Sequence, residues 1–303
     1  MTISNPLYEK LTGFFAEPQP VARRIFHGRG KCYPGFEHLC IDWFNPVILI
    51  SAWQSVDDIQ GLKDLVLAAD SKKQVSAIVF QHRYINQSPA DILYGEVPAK
   101  VIVKAQGLRF EVHPGRRQNA GLFLDTGPLR EWLMVNSEGR NVLNLFAYTC
   151  ALSVAALAGG ASSVTNVDIS KPSIEWGMHN HMLNGQGPMP IRSIPHNLFK
   201  SWGRVQQFGR YDLVIIDPPT NQRGSFNAEK NYSSVVRRLP KLCNPGATVI
   251  AALNSPFLDE GFLENIFTDE LSNAIFEEWL PVAQEFEESE TGKGLKIARY
   301  KME

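Results

Sequence analysis

The sequence predicts an α/β protein, with a doubly wound, mostly parallel seven-stranded sheet over residues 121–303 and a smaller N-terminal α+β domain over residues 1–120. Three observations carry that prediction. From Asn141 onward, strand-like runs alternate with helical runs, the order that builds a parallel sheet with helices on its faces. Runs such as Leu213-Val214-Ile215-Ile216 are apolar without a break, which suits strands covered on both sides. The final stretch then departs from the alternation. Two strand-like runs, Ala274 to Phe286 and Gly294 to Lys301, are joined through the acidic Glu287 to Thr291 and read as a terminal antiparallel hairpin.

The elements follow in order. The opening around Arg23, Arg24, His27, Arg29 and Lys31 is irregular and basic. Strands are expected at Leu39 to Trp43 and Val47 to Trp53, an amphipathic helix at about Asp57 to Ala69, and strands at Val75 to His82, Ala99 to Ala105 and Leu108 to His113. The last two are separated by a Gln106-Gly107 turn, and the unit reads β-β-α-β-β-β. In the larger domain the strands are Val142 to Phe146, Val164 to Asp168, Pro190 to Ile194, Tyr211 to Ile216 and Ala247 to Leu253. Helices fall between them at about Ala151 to Ala158, Pro172 to Leu183, Ala228 to Leu242 and Leu258 to Leu271.

Composition narrows the class. Hydrophobic residues make up 44% and charged residues 20%, and no apolar run reaches the ~18–20 residues of a membrane helix. The start, MTISNPLYEK, lacks a basic patch followed by an apolar stretch, so no membrane role and a cytoplasmic location are expected. The four cysteines, at 32, 40, 150 and 243, match neither a disulfide framework nor the paired spacing of a zinc site. His179 and His181 lie two apart on a helix and face different directions, so no metal is expected there. A net charge of −1 excludes a globally basic nucleic-acid binder. Up to Ala120, however, 14 Lys+Arg stand against 11 Asp+Glu, so an anionic partner should lean on that part.

In an open α/β sheet a ligand sits beyond the carboxyl ends of the strands, where the chain order reverses. The first strand of the large domain opens into Ala147-Tyr148-Thr149-Cys150 and a helix, a place where helix N–H groups can hold a carboxylate. Asp168 ends the second strand and suits a pair of ribose hydroxyls, as in dinucleotide folds, or a cap on the helix that starts near Ser170 and Pro172. The fourth strand ends in Asp217-Pro218-Pro219-Thr220, whose prolines fix an extended turn with carbonyls exposed at the strand tip.

Several segments resemble a known family. Gly121-Leu-Phe-Leu-Asp125, Asn141-Val-Leu-Asn-Leu-Phe-Ala-Tyr-Thr149, Ala158-Gly-Gly-Ala161, Val167-Asp-Ile-Ser170 and Ile216-Asp-Pro-Pro-Thr220 look like the bacterial 23S ribosomal RNA large-subunit methyltransferases. That family includes cytosine-C5 enzymes and the guanine-N7 methyltransferase half of a fused large-subunit enzyme. The resemblance covers about Ala99 to Leu253 and implies a class I, Rossmann-like methyltransferase fold, S-adenosylmethionine as cofactor and RNA as partner. It implies that Asn144, Phe146, Tyr148 and Thr149 line the donor pocket, that Asp168 holds the ribose and that Ile169 packs on the adenine. Asn197 falls where relatives place an aspartate that accepts from the adenine amino group. Asp217 and Pro218, with Pro219 and Thr220, would form the active-site floor, while Phe123 and Asp125 would close over the cofactor, with Arg130 pairing to Asp125. Relatives carry glycine where this chain has Cys150, a side chain that crowds the methionine carboxylate if the position needs a positive φ but is small enough to be tolerated.

The acceptor is narrowed by chemistry. Cytosine C5 needs a cysteine thiolate to add at C6 first, and the strand end Ala251-Ala-Leu-Asn-Ser-Pro256 has none. Guanine N7 carries an in-plane lone pair, needs only positioning, and is favoured. Arg223, Lys230, Arg237 and Arg238, with Phe226 and Tyr232 interleaved, can grip phosphates and stack a flipped base, or form a solvated helix face with packing aromatics; Arg23 and Arg24 divide the same way. Transfer to cytosine C5, a protein or a small molecule, and donor binding without turnover, are the alternatives. The sequence does not set the oligomeric state.

Overall fold

A computed structural model describes residues 5–222 and 226–303. The chain forms two compact units, Met1–Asp125 together with Ala283–Glu290, and Thr126–Val282 together with Thr291–Glu303. The first division falls a few residues beyond the expected 120/121 boundary. The acidic segment before the last strand, expected as part of the terminal hairpin, belongs by its contacts to the first unit.

The first unit opens with α1 (Pro6–Phe15) and then builds β1 (Arg23–His27), β2 (Leu39–Phe44), β3 (Val47–Ala52), α2 (Ile59–Ala69), β4 (Ala77–His82) and β5 (Ala90–Gly95) into one sheet in the order β1-β2-β3-β4-β5. β3 and β4 are parallel, joined through α2, and the other pairings are antiparallel. β6 (Val101–Ala105) and β7 (Leu108–Val112) form a separate hairpin. The β-β-α-β-β-β expectation therefore omits α1, β1 and β5. The basic opening is a strand, and its Ile25 and Phe26 are buried in the sheet's core with Leu39, Ile41, Ile48 and Ile50.

The second unit starts with α3 (Gly127–Asn136), which the sequence reading did not assign, and alternates β8 (Asn141–Leu145), α4 (Ala151–Ala158), β9 (Ser163–Val167), α5 (Lys171–Leu183), β10 (Ile191–Ile194), α6 (Trp202–Gln207) and β11 (Tyr211–Ile216). A short pair, β12 (Asn221–Gln222) and β13 (Phe226–Asn227), leads into α7 (Ala228–Val236), α8 (Leu239–Leu242), β14 (Cys243–Asn254), α9 (Glu260–Glu270), β15 (Ala274–Trp279) and β16 (Leu295–Met302). The seven strands run β10-β9-β8-β11-β14-β16-β15, the first five parallel and β16 antiparallel to both neighbours. Leu143, Leu145, Val167, Val214, Ile216 and Ala251 alternate onto one face of this sheet and are buried with residues of α7 and α9. Each fully buried aliphatic side chain contributes on the order of 1.5–3 kcal/mol, so pattern and register reinforce one another. The chain order reverses between β8 and β11, which puts the crevice at the carboxyl ends of those two strands.

Candidate active site

The turn that leaves β8 is held in an unfavourable conformation. Phe146, Tyr148 and Cys150 have φ of 59°, 45° and 62°, and each non-glycine residue in that region costs roughly 1–2 kcal/mol. Four hydrogen bonds from three directions hold it. Ala147 N donates to Val167 O at 3.0 Å and Cys150 N to Ala147 O at 2.7 Å. Tyr148 N donates to Asp168 Oδ2 at 2.9 Å, and Asn180 Nδ2 on α5 donates to Thr149 O at 3.0 Å. Because α4 follows at once with no side-chain cap, the N–H groups of its first turn are left for a ligand.

Cys150 is fully buried and its side chain fills the space over Gly177 of α5, where an added Cβ would fall 2.3 Å from Sγ. The position does need a positive φ, the condition under which a side chain was expected to crowd. The absent side chain at Gly177 accommodates it.

Asp168 sits at the end of β9, half-buried. Its Oδ1 accepts from Ser170 N at 2.8 Å, while Ser170 itself caps α5 by accepting from Ser173 N. Burial pushes the Asp168 carboxyl up from its ordinary value, against the downward pull of the Ser170 and Tyr148 N–H groups. Each carboxylate oxygen accepts one backbone N–H and has lone pairs left for ribose hydroxyls. Next to it, Ile169 is 43% exposed, an apolar surface of the kind an adenine covers. Asn197 uses its side-chain oxygen to accept from Phe199 N at 2.9 Å, capping a short 3-10 turn; a second lone pair remains.

Asn144 is placed inside the sheet. It is buried, and its Nδ2 donates to Asn166 Oδ1 across β8 and β9 at 3.1 Å. Thr149 is buried as well. Phe146 and Tyr148 are half-buried, Phe146 edge-on to Phe226 with centroids 4.9 Å apart and Tyr148 with its ring 6.2 Å from Trp176. Phe123 is exposed and Asp125 half-buried, both in the last stretch of the first unit, and Arg130 is buried with Nη1 donating to Thr126 Oγ1 at 2.8 Å.

At the tip of β11, Asp217 is half-buried, Pro218 buried and Pro219 exposed. The Thr220 hydroxyl donates to the carbonyl of Asn254, tying the tips of β11 and β14 together, and Ala228 N donates to Thr220 O at 3.0 Å. A feature with no sequence signal supports the same rim. Lys296 is 4% exposed and donates to the carbonyls of Ser255, Gly292 and Gly294 at 2.8, 2.7 and 2.8 Å.

Two expected RNA contacts are corrected. Phe226 and Tyr232 are 3% and 0% exposed, part of the core beneath the sheet, so neither can stack a base. The Tyr232 hydroxyl donates to Ala252 O at 3.0 Å, and burial together with the charge of Asp217 holds it well above its ordinary pKa. Arg23 and Arg24 are also accounted for internally. Arg23 pairs with Glu285 at 2.5 Å, and Arg24 grips both oxygens of Asp42 while lying over Phe286. Lys230 is exposed on α7, and Arg223 lies outside the described residues.

An uncapped helix N-terminus after the first strand, an acid after the second, a proline-rigid tip on the fourth and an antiparallel last strand inserted beside the fifth define a class I S-adenosylmethionine-dependent methyltransferase. The family model for S-adenosylmethionine-dependent methyltransferases matches residues 23–301, and the chain belongs to that family. Similar curated proteins carry the name ribosomal RNA large subunit methyltransferase K/L. The one from Shewanella pealeana is 35% identical over 160 residues, 51% of this chain and 22% of its own length. The one from Vibrio cholerae is 28% identical over 232 residues, 72% of this chain and 32% of its own. The chain thus spans between about a fifth and a third of these relatives. In fold, a methyltransferase solved from Streptococcus mutans superposes with a TM-score of 0.84 at 22% identity, over 100% of this chain and 83% of that one. A methyltransferase structure complexed with S-adenosylhomocysteine gives the same figures.

Proposed function

We propose that the chain transfers the methyl group of S-adenosylmethionine to a base of large-subunit ribosomal RNA, with guanine N7 as the acceptor. The relatives' names support an RNA acceptor, and the chain's own residues suit the donor. When bound, the donor supplies an electrophilic methyl carbon on its sulfonium sulfur. The first turn of α4 receives the methionine carboxylate, Asp168 accepts from the ribose hydroxyls, Ile169 covers the adenine and the free lone pair of Asn197 takes the adenine amino group. The Asp217-Pro218-Pro219-Thr220 tip, fixed to Asn254, presents the acceptor base.

One observation favours N7 over cytosine C5: the state of the thiols in the methyltransferase unit. Burial pushes the Cys150 thiol up, with the charge of Asp168 acting in the same direction. Cys243 is also buried, at the opposite end of β14 from Asn254, and its thiol is pushed up to about 12. Neither is a thiolate at neutral pH, so neither serves as the C6 nucleophile. Guanine N7 needs no such help, only alignment with the donor methyl. Nucleoside analysis of 23S RNA from cells with and without this chain tests the reading. Loss of 7-methylguanosine is expected; loss of 5-methylcytidine would overturn the base assignment, and an unchanged nucleoside profile would overturn the RNA assignment.

A further inference from the structure

In the first unit, the basic residues near Ala283–Glu290 find carboxylates. Lys10 pairs with Glu287, Arg23 with Glu285, Lys31 with Glu290, and Arg24 with Asp42. Among the described residues, Arg29 and Arg83 make no ion pair. They lie instead on one indole, with guanidinium carbons 4.4 and 5.3 Å from the centroid of Trp53.

The backbone fixes this arrangement. Arg29 sits in the tight Gly28–Gly30 turn. An added Cβ would fall 1.8 Å from Phe36 O at Gly28 and 1.8 Å from Glu287 O at Gly30, so only glycines fit on either side. Trp53 N donates to His38 O at 2.8 Å, and Arg83 N donates to Ala52 O at 2.7 Å. One Arg83 nitrogen, Nη1, donates to the Gln118 carbonyl, leaving Nε and Nη2. Arg29 is exposed and Arg83 half-buried. Burial holds Arg83 below its ordinary pKa and the positive charge of Arg29 adds to the effect, against a smaller upward pull from Cys40 and Asp42. Two like charges held on one ring repel each other, and an anion between them would relieve that repulsion. Contact with a ring face consumes none of the N–H donors of Arg29 and leaves Nε and Nη2 of Arg83, donors of the kind that bind phosphate bidentately.

We propose that Arg29 and Arg83, oriented by Trp53, form a phosphate-binding fork through which the first unit holds the RNA backbone. The inference rests on the RNA reading above, and the fork contributes affinity rather than sequence choice.

The test measures binding of a fluorescein-labelled single-stranded oligouridylate to the full chain by anisotropy across a range of salt concentrations. Arg29→Gln is exposed and safe for folding; Arg83→Lys keeps the charge but loses the fork. In Arg29→Gln the affinity should fall about tenfold and the slope of log K against log salt should become shallower by about 0.7, the value for one phosphate contact on a single strand. Arg29→Glu should weaken binding further, and Arg83→Lys should weaken it with the slope retained. Affinity for S-adenosylhomocysteine, measured by calorimetry, should stay unchanged in each variant. If the wild type binds and the variants match it in affinity and slope, the fork is wrong while the RNA reading stands. If the wild type does not bind the RNA at any salt, both fail.

Discussion

Replacing Gly177 by alanine tests how the donor turn is held. In the wild type, the new Cβ would lie 2.3 Å from Cys150 Sγ, 2.8 Å from Cys150 Cβ and 3.1 Å from the Thr149 carbonyl carbon, all atoms of the strained turn. Overpacking of this kind costs typically about 1–3 kcal/mol, against a gain of about 1 kcal/mol from glycine to alanine inside a helix. Gly177→Ala should therefore destabilise by up to about 2 kcal/mol and weaken donor binding, because the turn must yield rather than α5. Cys150→Gly relieves roughly 1–2 kcal/mol of left-handed strain and loses the packing of a buried thiol, which leaves it near neutral. In the double variant the two shortest contacts vanish, the helix gain remains, and the alanine should be neutral or stabilising. The two sites should thus couple by about 2 kcal/mol, well above the ~0.3–0.5 kcal/mol scatter of independent sites. Urea unfolding of the four proteins, with calorimetric titration of S-adenosylhomocysteine, reads both effects. If alanine at 177 costs the same with Cys150 or glycine at 150, the packing account is wrong.

Further expectations follow from the same geometry. His181 is buried between Ser153 and Gln186, with its pKa pushed down to about 4 by burial from an ordinary 6.5. Below pH 6.5 the unfolded chain takes up a proton that the folded chain refuses, so stability falls by about 3 kcal/mol as pH drops from 6.5 to 4. In His181→Gln that portion of the pH dependence should disappear from urea midpoints, and an unchanged slope would refute the assignment. Asp168→Asn keeps an acceptor but removes the charge, and should weaken S-adenosylhomocysteine binding about tenfold, consistent with ~1.5 kcal/mol for a charge-assisted bond; equal calorimetric affinity would remove Asp168 from the donor site. Thr220→Val unties the β11 tip from Asn254 and should lower the transfer rate about tenfold with donor affinity unchanged, since small misplacements cost rate before binding. Asp217→Ala should abolish transfer while leaving the thermal midpoint near the wild-type value; retained transfer would place the acceptor site elsewhere.

The larger unit was legible because its signals are local. The alternation of strand-like and helical runs located β8, β9 and β11, the unbroken run Leu213-Val214-Ile215-Ile216 marked β11 as covered on both faces, and Ala151–Ala158 emerged with the expected bounds. The omissions have separate causes. α1 carries a plain start signal, since Asn5 accepts from the N–H groups of Leu7 and Tyr8 and Pro6 occupies the first turn, but a chain end draws little weight in a pattern search. β5 has no buried position and β1 begins with two arginines, so neither shows an apolar stripe. α3 begins Gly127-Pro128, a pair that reads as a turn until Pro128 is seen in the first turn of a helix.

Within the site, the errors concern what side chains face, which no single-sequence pattern records. Phe226 and Tyr232 lie beside basic residues in the sequence, yet their rings turn into the core under β11 and β14. Arg24 could be read either as an RNA contact or as a structural residue, because its partner Asp42 is 18 residues away. Cys150 shows the limit most clearly. The resemblance marks 150 as a position suited to glycine and so hints at strain, but the glycine that accommodates the side chain lies on the next helix, at 177. Cys150 fits at the turn because α5 carries no side chain at Gly177, a relation between two elements that a search for glycine at the turn alone does not find.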